Sequence, residues 1–278
     1  MNSWSGVALA LASAFTWGTA DFVGGVATRR GHPFQILLIN ASSGIVLFGG
    51  LALLVGEAMP PRSAMAWAGS AGAAGALGIV ALYHGLAIGS AAIVAPTAGV
   101  LTAALPVVFS IVVNGWPGAV QLAGFVLAAI GIWLVARGQA DARSRTTGLR
   151  AAVFAGLGFG LFLIFIAQVP ITLVFGPLAV ARGATLVIAV VLLWVGRAGV
   201  PPISLFPLAL GAGVLDAGGN VLYLLARQHV RLEVAAVLSS FYPVATVVLA
   251  RVIQKERVIG WQWLGAVACL AAVGLITR

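Results

Sequence analysis

The chain states its plan twice. Ala81-Leu82-Tyr83 returns as Val221-Leu222-Tyr223, and Gln121-Leu122-Ala123-Gly124 returns as Gln262-Trp263-Leu264-Gly265. Upstream, Gly6 through Trp17-Gly18 matches Gly148 through Phe159-Gly160, and Ile39-Asn40 aligns with Ala181-Arg182. The offset stays between 140 and 142 residues, so the two copies are colinear. Each copy holds five apolar stretches of about 20 residues, the length that crosses about 30 Å of hydrocarbon. Five is odd, so the second copy enters the membrane upside down relative to the first. Inverted repeats of this kind are an architecture of secondary transporters.

Of the 278 residues, 62% are hydrophobic and 8% charged. A soluble domain carries about 25% charged residues, so most of this surface cannot face water. Spans are predicted at 5–27, 34–56, 65–88, 91–113 and 119–137, then at 150–170, 177–196, 204–226, 232–252 and 258–277. Continuous apolarity, without alternation, argues against a β-barrel. The expected fold is an all-α integral membrane protein, with ten transmembrane helices arranged as two inverted five-helix repeats around a central cavity. The first repeat covers 1–138, a linker 139–149 and the second repeat 150–278. The first span lacks a basic n-region and a cleavage site and reads as a retained helix. The single cysteine, Cys269, lies in the last span, which excludes an internal disulfide. Glycines such as Gly69, Gly72, Gly75 and Gly78 supply small faces for helix packing. The Gly156-Leu157-Gly158-Phe159-Gly160 run lacks the lysine of a phosphate loop and reads the same way.

The net charge of +9 lies in short loops, not on a basic face that would suit nucleic acid. Arg29, Arg30, Arg137, Arg143, Arg145, Arg150, Arg197, Arg251, Lys255 and Arg257 fall on one side of a ten-span chain. Arg62, Arg227, Arg231 and Arg278 fall on the other. The positive-inside rule puts the richer side in the cytoplasm and both termini outside. The stretch from Arg137 to Arg150 serves topology and lipid headgroup contact.

Prolines occupy related places in the two halves: Pro96 and Pro106 in the fourth span, Pro243 in the ninth. Each removes a backbone hydrogen bond. Interrupted helices at matching positions of two repeats point to a substrate site, so all three are expected helix breaks; a kink that improves packing is the alternative.

Asp21, Arg182 and Asp216 fall well inside spans, and His84 near the end of the third. A charge at the bilayer centre costs roughly 2.5–3.5 kcal/mol on insertion scales, so such residues face a bundle interior, a partner or water. Ser13, Trp17 and Asp21 follow at intervals of four and share a helix face. Asp216, Asn220, Tyr223 and Arg227 form a polar stripe on the eighth span. Each carboxylate is either satisfied internally, with Arg182 as a salt-bridge partner, or contacts a substrate amine or carries a proton. Arg182 either braces the seventh helix or meets a substrate carboxylate, and His84 makes an interfacial hydrogen bond or carries protons. The expected substrate cavity comprises Trp17, Asp21, Asn40, Tyr83, His84, Arg182, Asp216, Asn220, Tyr223 and Tyr242. Trp4, Trp67, Trp116, Trp261 and Trp263 lie near span ends, as interfacial anchors do.

No Ser–His–Asp elbow, HExxH motif or Cys–His metal cluster is present, and His229 with Glu233 makes two ligands without a third. Neither catalysis nor a cofactor is expected. The order and spacing of Trp17-Gly18, the two Leu-Tyr pairs, Arg182, Glu256, Gln262 and Gly265 resemble those of the EamA-type exporters of the drug/metabolite transporter superfamily. The resemblance covers essentially the whole chain. The first half departs from it at Asn40 and Gly115, where the second has Arg182 and Glu256. It implies a ten-helix basket in the cell inner (plasma) membrane whose cavity alternates between the two sides. It also implies export of amino acids and related metabolites, and one branch, the YddG-like proteins, exports aromatic amino acids. Family members usually keep both termini in the cytoplasm, against the arginine distribution here. Expected partners are a small-molecule substrate and the lipid bilayer, with proton coupling left open, no nucleic acid, and a monomer or homodimer as the assembly. Two other readings stand beside this one. The first is export of cationic drugs or dyes; the second is a non-transporting scaffold or lipid-modifying enzyme. The copies differ at Arg182 against Asn40 and Asp216 against Ala76, which places polar chemistry in one half only.

Overall fold

A computed structural model describes residues 3–28, 30–88, 91–136, 148–253 and 260–277. The first half forms α1 (Ser3–Thr28), α2 (Pro33–Leu54), α3 (Arg62–Ile88), α4 (Ala91–Asn114) and α5 (Ala119–Ala136). The second forms α6 (Leu149–Ile166), α7 (Phe175–Val195), α8 (Phe206–Arg227), α9 (Leu232–Ser239), α10 (Tyr242–Ile253) and α11 (Gly260–Ile276). No strand occurs among the described residues. Eight helices, and α9 with α10 taken as one span, are long and apolar enough to cross a membrane; α11 adds a shorter apolar helix. Counted this way the described residues give ten candidate spans. With ten spans, the α1 start and α11 end share one face, the termini side, and the α5 end and α6 start share the other, the linker side.

Helix starts follow local chemistry. At α2 the His32 ring accepts from the Phe34 N–H at 3.3 Å, while the Gln35 side chain accepts from the His32 N–H at 3.0 Å. Pro33 holds the first helical position, where a missing N–H costs nothing. Gly148 precedes α6 with φ at +89°, a conformation open to glycine.

Packing repeats under exchange of the halves. As α1 packs on α8, α6 packs on α3; as α3 packs on α7, α8 packs on α2. The pairs α2·α7 and α5·α11 each join a helix to its own counterpart. The duplicated Gln-to-Gly segments build the last of these seams. Gln121 donates to the Ile276 carbonyl at 3.3 Å, and Gln262 donates to the Val135 carbonyl at 3.2 Å. A Cβ on Gly124 would meet Ile276, and one on Gly265 would meet the Gly131 carbonyl. The aromatic of each first helix covers a glycine across the halves in the same way: Trp17 lies on Gly219, Phe159 on Gly78.

The proline expectation divides. The ninth span breaks between Ser239 and Tyr242, but α4 runs unbroken past Pro96 and Pro106. A proline alone deletes one hydrogen bond and leaves its neighbours in place. Ahead of Pro243 two serines add bonds of their own. The Ser240 hydroxyl donates back to the Ala236 carbonyl at 2.7 Å, and the Ser239 hydroxyl donates across to Ala10 in α1 at 3.2 Å. These bonds accompany the break at Pro243.

The break divides two environments. Every residue of α9 is buried, whereas Tyr242 through Val247 of α10 are half-buried. The termini-side half of this span is therefore packed shut, and the linker-side half is more exposed.

Candidate functional site

Five spans converge on the polar residues. From α7, Arg182 forms an ion pair with Asp216 of α8 and donates to the Asn40 side chain of α2 at 3.1 Å. Its side chain is 11% exposed and that of Asp216 28%, so the pair lies at the edge of accessible space, not beyond it. Room for the guanidinium comes from Gly44, where a Cβ would meet the Arg182 side chain at 2.9 Å. Asn220, one turn after Asp216, returns its amide to the Asp216 carbonyl at 2.6 Å, and the Trp17 indole donates to that same carbonyl at 3.2 Å.

Asp21 of α1 is exposed. Asp216 of α8 and Tyr242 of α10 nevertheless lie within electrostatic reach of it. The surface it shows thus belongs to a space between helices. Ser13 and Thr246 pin this side of α1 by donating to the Gly219 carbonyl at 2.8 Å and the Gly18 carbonyl at 3.0 Å. Two carboxyl groups and one guanidinium meet in this cluster, so one carboxyl group, that of Asp21, is left without a cationic partner among the described residues.

The other expected residues separate. Tyr223 is fully buried; its hydroxyl donates to the Leu163 carbonyl at 2.9 Å and its ring lies 6.0 Å from Trp17. It braces the wall from behind. His84 stands apart, in an outer groove between α3 and α6 with Arg150. The Tyr83 side chain and Glu256 lie outside what is described.

Two groups have structural roles that the sequence reading did not assign. Glu57, in the α2–α3 loop, accepts from the backbone N–H groups of Val174, Phe175 and Gly176 at 2.9–3.2 Å. It caps α7, the helix that carries Arg182, at its positive end. Glu233, in the first turn of α9, is 2% exposed. Its Oε2 accepts from the Ser110 hydroxyl of α4 at 2.7 Å, and Asn114 donates to that hydroxyl at 3.1 Å. Arg231 Nε approaches Oε1 at 2.5 Å as an ion pair without hydrogen-bond alignment. This charged clasp sits where the termini-side half of the ninth span is sealed.

A solved crystal structure matches this fold with a TM-score of 0.78 at 16% identity, covering 98% of this chain and 96% of the other. No curated protein matches the sequence. The EamA-like transporter family matches twice, over residues 4–137 and 146–278, one match for each half. Two family units in one chain of membrane-spanning helices, packed alike under exchange of the halves, settle the assignment: this protein is a multi-pass membrane protein of the EamA-like transporter family.

Proposed function

We propose that the chain exports small amphipathic metabolites bearing an ammonium group, amino acids fitting best, across the cell inner membrane by alternating access. One observation carries this reading: Asp21 presents an accessible carboxylate beside an Arg182–Asp216 pair that already satisfies itself. An ammonium group answers the Asp21 carboxyl group, and a substrate carboxylate competes with Asp216 for Arg182. Trp17 supplies an apolar wall. The order of the spans in the sequence assigns ten of the basic residues to the linker side, which we therefore place in the cytoplasm. The sealed α9 then closes the outer end, and the more exposed α10 lies towards the cytoplasm.

Uptake of a panel of labelled amino acids into proteoliposomes tests this. Asp21→Asn should lower uptake about tenfold, the weight of one charged hydrogen bond, with the purified variant as thermally stable as the parent. Unchanged uptake would remove Asp21 from the mechanism. The Asp21 carboxyl group equally suits a permanent organic cation. If a quaternary ammonium dye is carried and amino acids neither move nor compete, the substrate is a cationic drug or dye.

A further inference from the structure

The groove that holds His84 belongs to no part of the transport site. It has a volume of about 600 Å³ and runs between the end of α3 and the start of α6, with Leu77, Val80, Ile88 and Phe154 along it and His84 with Arg150 among its lining. Leu77 is 59% exposed and Phe154 67%, so the groove opens outward, towards lipid. Among the described residues neither His84 nor Arg150 takes part in an ion pair. On the related seam, between α1 and α8, the chain fills the gap itself: Val230 and His229 close over Gly6, the counterpart of Gly148.

We propose that this groove binds one anionic glycerophospholipid of the linker-side leaflet. An acyl chain lies along Leu77, Val80 and Phe154, and the phosphate meets Arg150 and the His84 imidazole. Charge complementarity selects the occupant. An apolar channel ending in basic groups, on the arginine-rich face, matches a molecule with a hydrocarbon tail and an anionic head. Because α3 belongs to the first repeat and α6 to the second, a bound lipid bridges the two.

The test uses the purified full chain in detergent, with phosphatidylglycerol, phosphatidylcholine or inorganic phosphate added, read by native mass spectrometry and thermal melting. One retained phosphatidylglycerol and a raised Tm are expected, with no effect of phosphatidylcholine or phosphate. Arg150→Gln should weaken retention about fivefold, the contribution of one arginine near an anionic surface. Arg30→Gln, on the same side, should leave it intact. Leu77→Trp, which fills the channel but keeps both basic groups, should abolish retention. Equal retention of both lipids, indifference to Arg150→Gln and Leu77→Trp, or a shift reproduced by phosphate alone would each overturn the proposal.

Discussion

Arg182 and Asn40 occupy equivalent positions in the two repeats, 142 residues apart, and they hydrogen-bond to each other. Residues related by a two-fold meet only on its axis. The pseudo-symmetry axis of the molecule therefore runs between these two side chains, through the α2·α7 contact, and the ion pair with Asp216 begins at that axis.

Removing Arg182 should be costly because it strands Asp216. Loss of one partner of a buried pair costs about 3–5 kcal/mol, and the partial exposure of Asp216 puts Arg182→Gln nearer the lower figure. In the double variant with Asp216→Asn, much of that loss should return. Melting of the four proteins of this cycle in detergent gives the coupling, expected at about 1–3 kcal/mol. A coupling near zero would mean that the pair does not hold α7 to α8.

Glycine replacements should sort by what lies above them. A Cβ on Gly72 would collide with the Ala181 carbonyl, backbone that cannot yield, whereas nothing lies within 4 Å of Gly69 three residues earlier. Gly72→Ala is expected to destabilise by about 1–3 kcal/mol and Gly69→Ala by less than about 0.5. Equal Tm values for the two would contradict the close α3·α7 approach.

Glu57→Ala takes the acceptor away from three N–H groups at the start of α7. The expected loss is about 1–2 kcal/mol, as for other lost helix caps. Glu57→Gln should fall between, keeping an oxygen but losing the charge. Hydrogen exchange at Val174–Gly176 should quicken in both, and unchanged protection there would show that the carboxylate does not hold those groups.

Ser110→Ala deprives buried Glu233 of its hydroxyl donor. If that clasp seals the termini side, α9 should open more often. In a Cys269→Ala background, Val237→Cys should then react faster with a membrane-impermeant maleimide; Val237 is 1% exposed in the closed arrangement. Equal labelling with and without Ser110 would reduce the clasp to simple packing.

The helix count, the two-fold repeat and the family were legible in the sequence because each rests on a periodic or duplicated pattern. The convergence of Trp17, Asp21, Arg182 and Asp216 was legible as well, since charge inside a span leaves few places to go. The Arg182–Asn40 contact had a signal that went unread: equal positions in inverted repeats face each other when they lie near the axis. Glu57 had none, since its partners are backbone groups more than a hundred residues away. Glu233 was masked by its place beside a loop, where a carboxylate normally stays wet. Prolines misled at Pro96 and Pro106 because a proline within a helix does not by itself end it, and α4 runs on past both.

The reciprocal Gln121 and Gln262 bonds survive exchange of the halves, so two copies of a single half, inserted in opposite directions, could make that seam unaided. The axis contact could not be made so. An identical pair would set arginine against arginine or asparagine against asparagine, the first repelling and the second carrying no charge. Only two halves of different sequence let a guanidinium face an amide there. The scaffold is thus of a kind that a dual-topology dimer could build, whereas its internal charge requires that the two halves have diverged.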